Sequence, residues 1–195
     1  MLKPLPFVWP YALIFWAAFI WAFLPEFRLV RRATAQKTAA DSKSLQVIMA
    51  GGSIGTALAF SIAWWPGMLA SLATARVMFV VGTLLLVLGS LLRRHCWRTL
   101  GNSFTGDVRA RSDQRVVTDG AYRCVRHPSY SAGMLMNLGI GIALGSWVSA
   151  VVITVFSFAA YVYRMNVEER VLMSEIGEPY RAFASTRKRL VPFVY

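Results

Sequence analysis

Acidic residues are scarce in this sequence: nine Asp and Glu stand against 21 Lys and Arg in 195 residues. Charged residues of either sign make up only 15% of the chain, whereas 56% is hydrophobic and mean hydropathy is +0.50. So little charge excludes a water-soluble fold, because a chain of this length cannot hide that much apolar surface from water. Cysteine is rare too. The two thiols, Cys96 and Cys124, fall in segments expected on the cytoplasmic side, which argues against a structural disulfide. Neither has metal-ligand spacing with the two histidines, His95 and His127, so no metal site is expected. Internal repeats and low-complexity tracts are absent. The first apolar segment has only Lys3 before it and no small-x-small cleavage site after Leu24. Pro25-Glu26-Phe27 follows instead, so this segment reads as a membrane helix, not a signal peptide. No C-terminal prenylation box is present.

What the chain does have is long uncharged stretches: residues 7–24, 45–75 (broken at Pro66-Gly67), 77–92 and 129–163. About 20 apolar residues cross a hydrocarbon core as a helix. The sequence therefore predicts an all-α integral membrane protein of about five transmembrane helices, at residues 7–24, 45–65, 72–92, 130–145 and 147–163. Cations cluster between the first two stretches (Arg28, Arg31, Arg32, Lys37, Lys43), after the third (Arg93 to Arg126) and in the tail (Arg164 to Arg189). The alternate loops near 66–71 and 145–147 carry none. This is the positive-inside pattern, with the N-terminus expected outside and the C-terminus in the cytoplasm. The net charge of +12 is thus read as topology, with anionic headgroup contact secondary. The basic segments lack a nucleic-acid reading module. Trp9, Trp16, Trp21, Trp64, Trp65 and Trp147 lie mostly near span ends, as an interfacial belt would. Gly51-x-x-x-Gly55 and Gly141-x-x-x-Gly145 read as close-packing faces.

The whole chain, 1–195, reads as a single membrane domain: three N-terminal spans in 1–92, a cytoplasmic segment 93–129, a helical hairpin 130–163 and a cytoplasmic tail 164–195. The segment 93–129 begins as an extension of the third span. A turn follows at Leu100-Gly101-Asn102-Ser103-Phe104, then a stretch with Val108, Val116 and Val117, and a turn at Asp119-Gly120. The tail continues the last span, breaks at Gly177 and Pro179, and resumes as a short helix over residues 180–186. The two polar segments together form a small cytoplasmic cap.

Two constellations carry candidate chemistry. Gly120-Ala121-Tyr122-Arg123-Cys124-Val125-Arg126-His127-Pro128-Ser129-Tyr130 leads into a proline-defined helix start. Arg164-Met165-Asn166-Val167-Glu168-Glu169 lies at the end of the last span, where Arg164 and Glu168 share a helix face. The hairpin topology should bring the two together. Taken singly, each residue has an ordinary explanation. His127 could bond a backbone carbonyl at the interface, Arg123 and Arg126 could be positive-inside residues, and Glu168 and Glu169 could pair with Arg164 and Arg170 on a solvated face. Taken together at one membrane face, they point to a binding site, because paired carboxylates near the interface are costly unless they bind something.

Residues 97–195 resemble the isoprenylcysteine carboxyl methyltransferases and their phospholipid N-methyltransferase relatives. The resemblance rests on Leu100-Gly101, on Gly120, Tyr122, Arg126, His127, Pro128 and Tyr130, on the hairpin, and on Glu168-Glu169. It continues through Gly177 and Tyr180 to Arg189-Leu190-Val191-Pro192. One departure is Ala132 where the family usually has glycine two positions after the motif tyrosine; Gly133 follows it. Residues 1–92 match only as generic membrane helices. The resemblance implies S-adenosylmethionine in the cap, with S-adenosylhomocysteine as product. Tyr122, Tyr130 and His127 would supply stacking faces and hydrogen bonds, beside Pro128. Glu168 or Glu169 would meet the ammonium or sulfonium charge, and Arg126 a carboxylate, a task for which Arg123 competes. Leu190 and Pro192 would lie in an apolar lid on the adenine. Arg164 is the candidate for orienting an acidic acceptor, with Glu168 fixing it, though it could instead snorkel from the last span.

The expected partners are a lipophilic small-molecule acceptor from the bilayer, most simply a prenylcysteine-like carboxylate, and membrane lipids; no nucleic acid and no metal are expected. A lipid-amine or phospholipid N-methyltransferase is the near alternative. A sterol-reductase-like NADPH oxidoreductase is more distant, since such enzymes have more spans. A non-catalytic membrane scaffold or transport accessory would leave the two constellations idle. A solute pathway is disfavoured because Asn137 and scattered Ser and Thr are the main polar residues within the spans.

Overall fold

The computed structural model describes residues 2–35, 39–101, 115–192 and 195, with side chains excluded over residues 28–42. The expected turn at Asn102-Ser103-Phe104 and the stretch with Val108 lie outside the described residues. So do Lys37 and the side chains of Arg28, Arg31 and Arg32.

The described residues form an all-α membrane protein without strands. The helices are α1 (Tyr11–Ala35), α2 (Ala39–Ala63), α3 (Leu72–Leu100), α4 (Pro128–Ala143), α5 (Trp147–Glu175) and α6 (Glu178–Thr186). Leu5–Phe7 and Gly120–Arg123 form 3-10 turns. Three helical segments, Lys43–Ala63, Leu72–Leu100 and Trp147–Glu175, are long and apolar enough to cross a membrane, and Tyr11–Phe27 is a shorter apolar section. The 16-residue α4 is shorter still and sits between longer neighbours.

Helix α4 packs against α3 and α5, α2 packs against α5, and α1 packs against α3. Interhelical bonds give the directions. Ser90 Oγ donates to Ala22 O (3.2 Å), and Tyr11 rests against Phe79 with ring centroids 5.1 Å apart, so α1 and α3 run parallel. Ser149 Oγ donates to Ala59 O (2.7 Å) and Gly51 lies against Ala160, so α2 and α5 run antiparallel. Asn137 of α4 is tied to α5, donating to Ser157 Oγ (2.8 Å), which donates in turn to Ile153 O (2.7 Å). The C-terminal ends of α1, α3 and α5 therefore meet the N-terminal ends of α2 and α4 at one end of the bundle, called here the cap end.

The opposite end is aromatic and apolar. Phe7 contacts Trp16, Phe60 and Trp64, and Trp16 Nε1 donates to Pro6 O (3.0 Å). Trp9, Trp64, Trp65 and Trp147 are exposed there, whereas Trp16 is part of the packed interior. Pro25 lies inside α1. Lacking an N–H, it leaves the Trp21 carbonyl without its helical donor. Arg94 of α3 takes that place: its Nη2 donates to Trp21 O (2.6 Å), and its guanidinium lies 4.1 Å from the Trp21 ring centroid.

Glycine lets the helices touch backbone to backbone. A Cβ at Gly82 would overlap Ala143 N and stand 2.5 Å from Gly139 O, and one at Gly139 would stand 2.6 Å from Gly82 O. Gly51 and Gly55 pack on α5 as their spacing suggests. Gly145 both packs and turns: a Cβ there would stand 3.3 Å from Ala75 Cβ, as its spacing suggests, and its φ of +77° makes it the turn of the α4–α5 hairpin. Beyond it, Ser146 caps α5, its Oγ accepting from Ser149 N (3.3 Å). Gly177, at φ +71°, ends α5 and admits α6, which has a proline in its first turn.

Gly82→Ala is expected to lower stability by about 1–3 kcal/mol through overpacking. Gly52→Ala, where nothing lies within 4 Å of the added methyl, should be neutral. Thermal unfolding of the two variants in the same detergent measures the contrast.

Candidate active site

The site is built where α4 begins. Pro128 starts the helix without a wasted N–H, and His127 precedes it in a non-helical conformation. The backbone before the proline is therefore free to pair elsewhere, and it pairs with the chain's last segment. Arg126 N donates to Lys188 O (2.8 Å) and His127 N to Arg189 O (2.9 Å). Val125 and Lys188 form an isolated parallel bridge. One turn into α4, Ser131 Oγ donates to Leu190 O (2.6 Å). Val125, His127 and Leu190 are all buried, so residues 188–190 form a strap along the turn.

Glu169 fastens the side chains of the same segments. Its Oε1 lies 3.0 Å from His127 Nε2 and 3.1 Å from Arg126 Nε, and its Oε2 accepts from Arg189 Nη2 (2.7 Å). Opposite charges on both sides compensate the burial of this carboxylate. Arg126 also donates from Nη1 to Ala184 O (2.9 Å), which ties α6 to the turn.

Glu168 is placed differently. Adjacent helix positions point about 100° apart, and the Glu168 side chain is 31% exposed against 5% for Glu169. Glu168 Oε2 accepts from the Tyr130 hydroxyl (2.7 Å) and lies 3.9 Å from His127 Nδ1. Its Oε1 has no hydrogen-bond partner among the described residues. The rings of His127, Tyr130 and Tyr161 form a ladder, with centroids 5.5 and 5.1 Å apart. Arg164 is buried one turn before Glu168. Its Nη1 donates to Ser44 Oγ (2.5 Å), and it reaches the Tyr130 hydroxyl.

Tyr122 and Tyr180 close the site from the cap. Tyr180 packs with Phe183 and Ala184, and its buried hydroxyl has no hydrogen-bond partner among the described residues. Burial raises both phenols well above their ordinary pKa, helped by Cys96 and Glu168 at Tyr122 and by Glu169 and Glu168 at Tyr180.

The structure thus brings together Tyr122, Arg126, His127, Pro128, Tyr130, Arg164, Glu168, Glu169 and Leu190. Pro192 follows the strap in an exposed turn in which Leu190 N and Val191 N donate to Tyr195 O. Arg123 is exposed, and its carbonyl accepts from Arg187 Nε (3.1 Å). Sequence reasoning missed Ser44, Tyr161, Glu26 and Arg93, and gave Arg189 no partner. Glu26 carried a signal, as a lone acid ending an apolar stretch at the head of a basic loop. Ser44 and Tyr161 carried none.

A helical membrane bundle with a histidine, arginine and glutamate cluster at one end defines a broad class. The family model for phospholipid methyltransferases matches residues 77–178, just over half of the chain. The chain belongs to the phospholipid methyltransferase family. It is 32% identical over 115 residues to protein-S-isoprenylcysteine O-methyltransferase B of Arabidopsis thaliana, a match covering 58% of each chain. It is 32% identical over 111 residues to the protein-S-isoprenylcysteine O-methyltransferase of Schizosaccharomyces pombe, covering 56% of this chain and 47% of that one. A similar protein from Xenopus laevis is 29% identical over 117 residues, covering 59% and 41%. The chain spans about half the length of the curated relatives it matches.

Two predictions follow from the geometry. Glu169→Gln should destabilise the cap by about 1–3 kcal/mol, since it leaves two partly buried guanidinium groups facing a neutral amide. Limited proteolysis between α5 and the tail would detect it, with Glu168→Gln as the mild comparison. The raised phenols of Tyr122 and Tyr180 favour the folded state fully below their unfolded pKa near 10. That contribution is lost as pH rises through the folded values, so the midpoint of thermal unfolding should fall as pH climbs above 10. Tyr122→Phe and Tyr180→Phe should each flatten the fall.

Proposed function

We propose that this protein transfers a methyl group from S-adenosylmethionine to a lipophilic acceptor at the cytoplasmic membrane face, with a prenylcysteine-like carboxylate as the favoured acceptor. The observation that carries this reading is the convergence of the Arg126-His127-Pro128 turn, Tyr130 and the Glu168-Glu169 pair at the cap end. The basic loops at that end favour placing it in the cytoplasm, with the N-terminus outside and the chain as one membrane domain.

The residues fit such a cofactor. Glu168 offers a carboxylate oxygen without a partner among the described residues, suited to an ammonium or sulfonium charge. Tyr180 offers a buried hydroxyl without a partner among the described residues, and the His127–Tyr130 ladder offers ring faces. Glu169, engaged by His127, Arg126 and Arg189, would hold the cofactor-binding turn in shape rather than touch the ligand. Leu190 would supply an apolar wall. S-adenosylmethionine, when bound, supplies an electrophilic methyl group. A carboxylate acceptor is already ionised near neutral pH, so no strong general base is required of the chain, and its residues contribute alignment and exclusion of water. Arg164, buried beside Tyr130 and Ser44, would orient the acceptor carboxylate.

The name of the matched family favours a second reading, in which the acceptor is a lipid amine. Glu168 would attract that amine and Arg164 would repel it, so the buried arginine tips the choice toward an acid.

Titration of the purified protein with S-adenosylhomocysteine tests the cofactor site. Glu168→Gln is expected to weaken binding at least about tenfold, or about 1.4 kcal/mol. Equal affinity would remove Glu168 from the site, and binding of NADPH instead would replace the reading. Methyl transfer from labelled cofactor to a panel of lipophilic acids and amines tests the acceptor; labelling of amines alone would refute the acid.

A further inference from the structure

We propose that Arg93 of α3 and Glu26 of α1 are a positioning pair that sets the Tyr130–Glu168 contact, so that α1, outside the matched family segment, takes part in building the site. The consequence for ligand affinity rests on the methyltransferase reading; the positioning itself does not.

The Arg93 guanidinium serves two helices at once. Its Nε and Nη2 grip both oxygens of Glu26, the second at 3.0 Å. Its Nη1 donates to the Ser129 carbonyl at 2.6 Å, with Ser129 Oγ at 3.4 Å. The planar fork of arginine allows this division, which a lysine ammonium reproduces poorly. Both side chains are largely buried, at 12% and 16% exposure. Charges so placed at the end of an apolar bundle are costly unless paired, and the pairing fixes the guanidinium in one orientation.

That orientation reaches the site by two short routes. Ser129 immediately precedes Tyr130, so the Arg93 bond to its carbonyl anchors the first turn of α4. The second route crosses Gly133: a Cβ there would overlap Tyr161 Oη and stand 3.0 Å from Arg93 Nη1. The Tyr161 hydroxyl and Arg93 therefore converge over a bare backbone, and the Tyr161 ring stacks on Tyr130, whose hydroxyl donates to Glu168. The pair thus braces Tyr130 through both its backbone and its ring. A purely structural role, holding α1 to α3, would need neither the Ser129 bond nor the space at Gly133.

The test uses the full chain in lipid nanodiscs, with Glu26→Gln/Arg93→Gln as the charge-free pair and Arg93→Lys as the conservative single variant. Each is combined with Tyr130→Phe, and each is read by thermal unfolding and by titration with S-adenosylhomocysteine. The double variant should keep a cooperative unfolding transition yet bind S-adenosylhomocysteine at least about tenfold more weakly. Tyr130→Phe should weaken binding in the wild-type background and add little in the double variant, because the contact it removes is already lost. Arg93→Lys should behave like the double variant, and it decides the matter if the latter does not fold. Wild-type affinity in the charge-free pair, or equal cost of Tyr130→Phe in both backgrounds, overturns the proposal. If the wild-type protein does not bind S-adenosylhomocysteine, the cofactor reading fails. The same cycle in unfolding midpoints then decides the positioning role: coupling between Arg93 and Tyr130 supports it, and additivity overturns it.

Discussion

A carboxylate buried at the end of a membrane bundle needs positive charge brought to it, and the chain segments that bring that charge become fixed in turn. Glu169 is that carboxylate. It projects from α5 and gathers His127 and Arg126 from the turn before α4 and Arg189 from the tail. These segments are 20 to 43 residues from Glu169 in sequence, so little local preference would hold them together. With Glu169 in place, Arg126 and Arg189 can lie close without repelling each other. The backbone of 126–127 can then pair with that of 188–189. The strap, the position of Leu190 and the seating of α6 through Ala184 all follow from that one compensated charge.

The bundle that presents Glu169 is assembled by a different rule. Lipid tails are as apolar as the helix surfaces, so close packing and interhelical hydrogen bonds drive association. Gly82, Gly139 and Gly141 bring backbones into contact along α4, and Ser90, Asn137 and Ser149 bond across helices. Because α4 touches neighbours on two sides with so little side-chain bulk, its first turn is held firmly. Tyr130 and Ser131 can then meet α5 and the strap together.

The helices were largely legible in the sequence because apolar length and Gly/Pro punctuation are local signals. The break at Gly177 and the short helix after it illustrate this: Gly177 takes a positive φ and Pro179 fits the first turn of α6. The cluster itself was legible in outline, since a hairpin places residues 126–130 and 164–169 at one end. What escaped were pairings that no local pattern encodes. Arg94 reads as one more positive-inside cation, yet it fills the carbonyl at Trp21 left without a donor by Pro25. Gly82 shows no small-residue spacing, and the Gly139-x-x-x-Ala143 spacing does not name the partner that it meets on α3. Gly145 shows a close-packing spacing and serves twice, because the same residue that permits close packing also permits the positive φ of a turn.

The adjacent glutamates explain how one short motif can serve both architecture and chemistry. Consecutive helix positions diverge by about 100°. Glu169 therefore turns toward the strap, where its charge is consumed in ion pairs. Glu168 turns toward Tyr130 and keeps one oxygen without a hydrogen-bond partner among the described residues. On the proposed reading that division is useful. The partly exposed Glu168 suits the positive charge of the methyl donor, while the buried Arg164 suits an anionic acceptor. Like charges at the two reactants' positions would serve one of them and repel the other. Placing opposite charges one helical turn apart on α5 lets a single rigid element align donor and acceptor together.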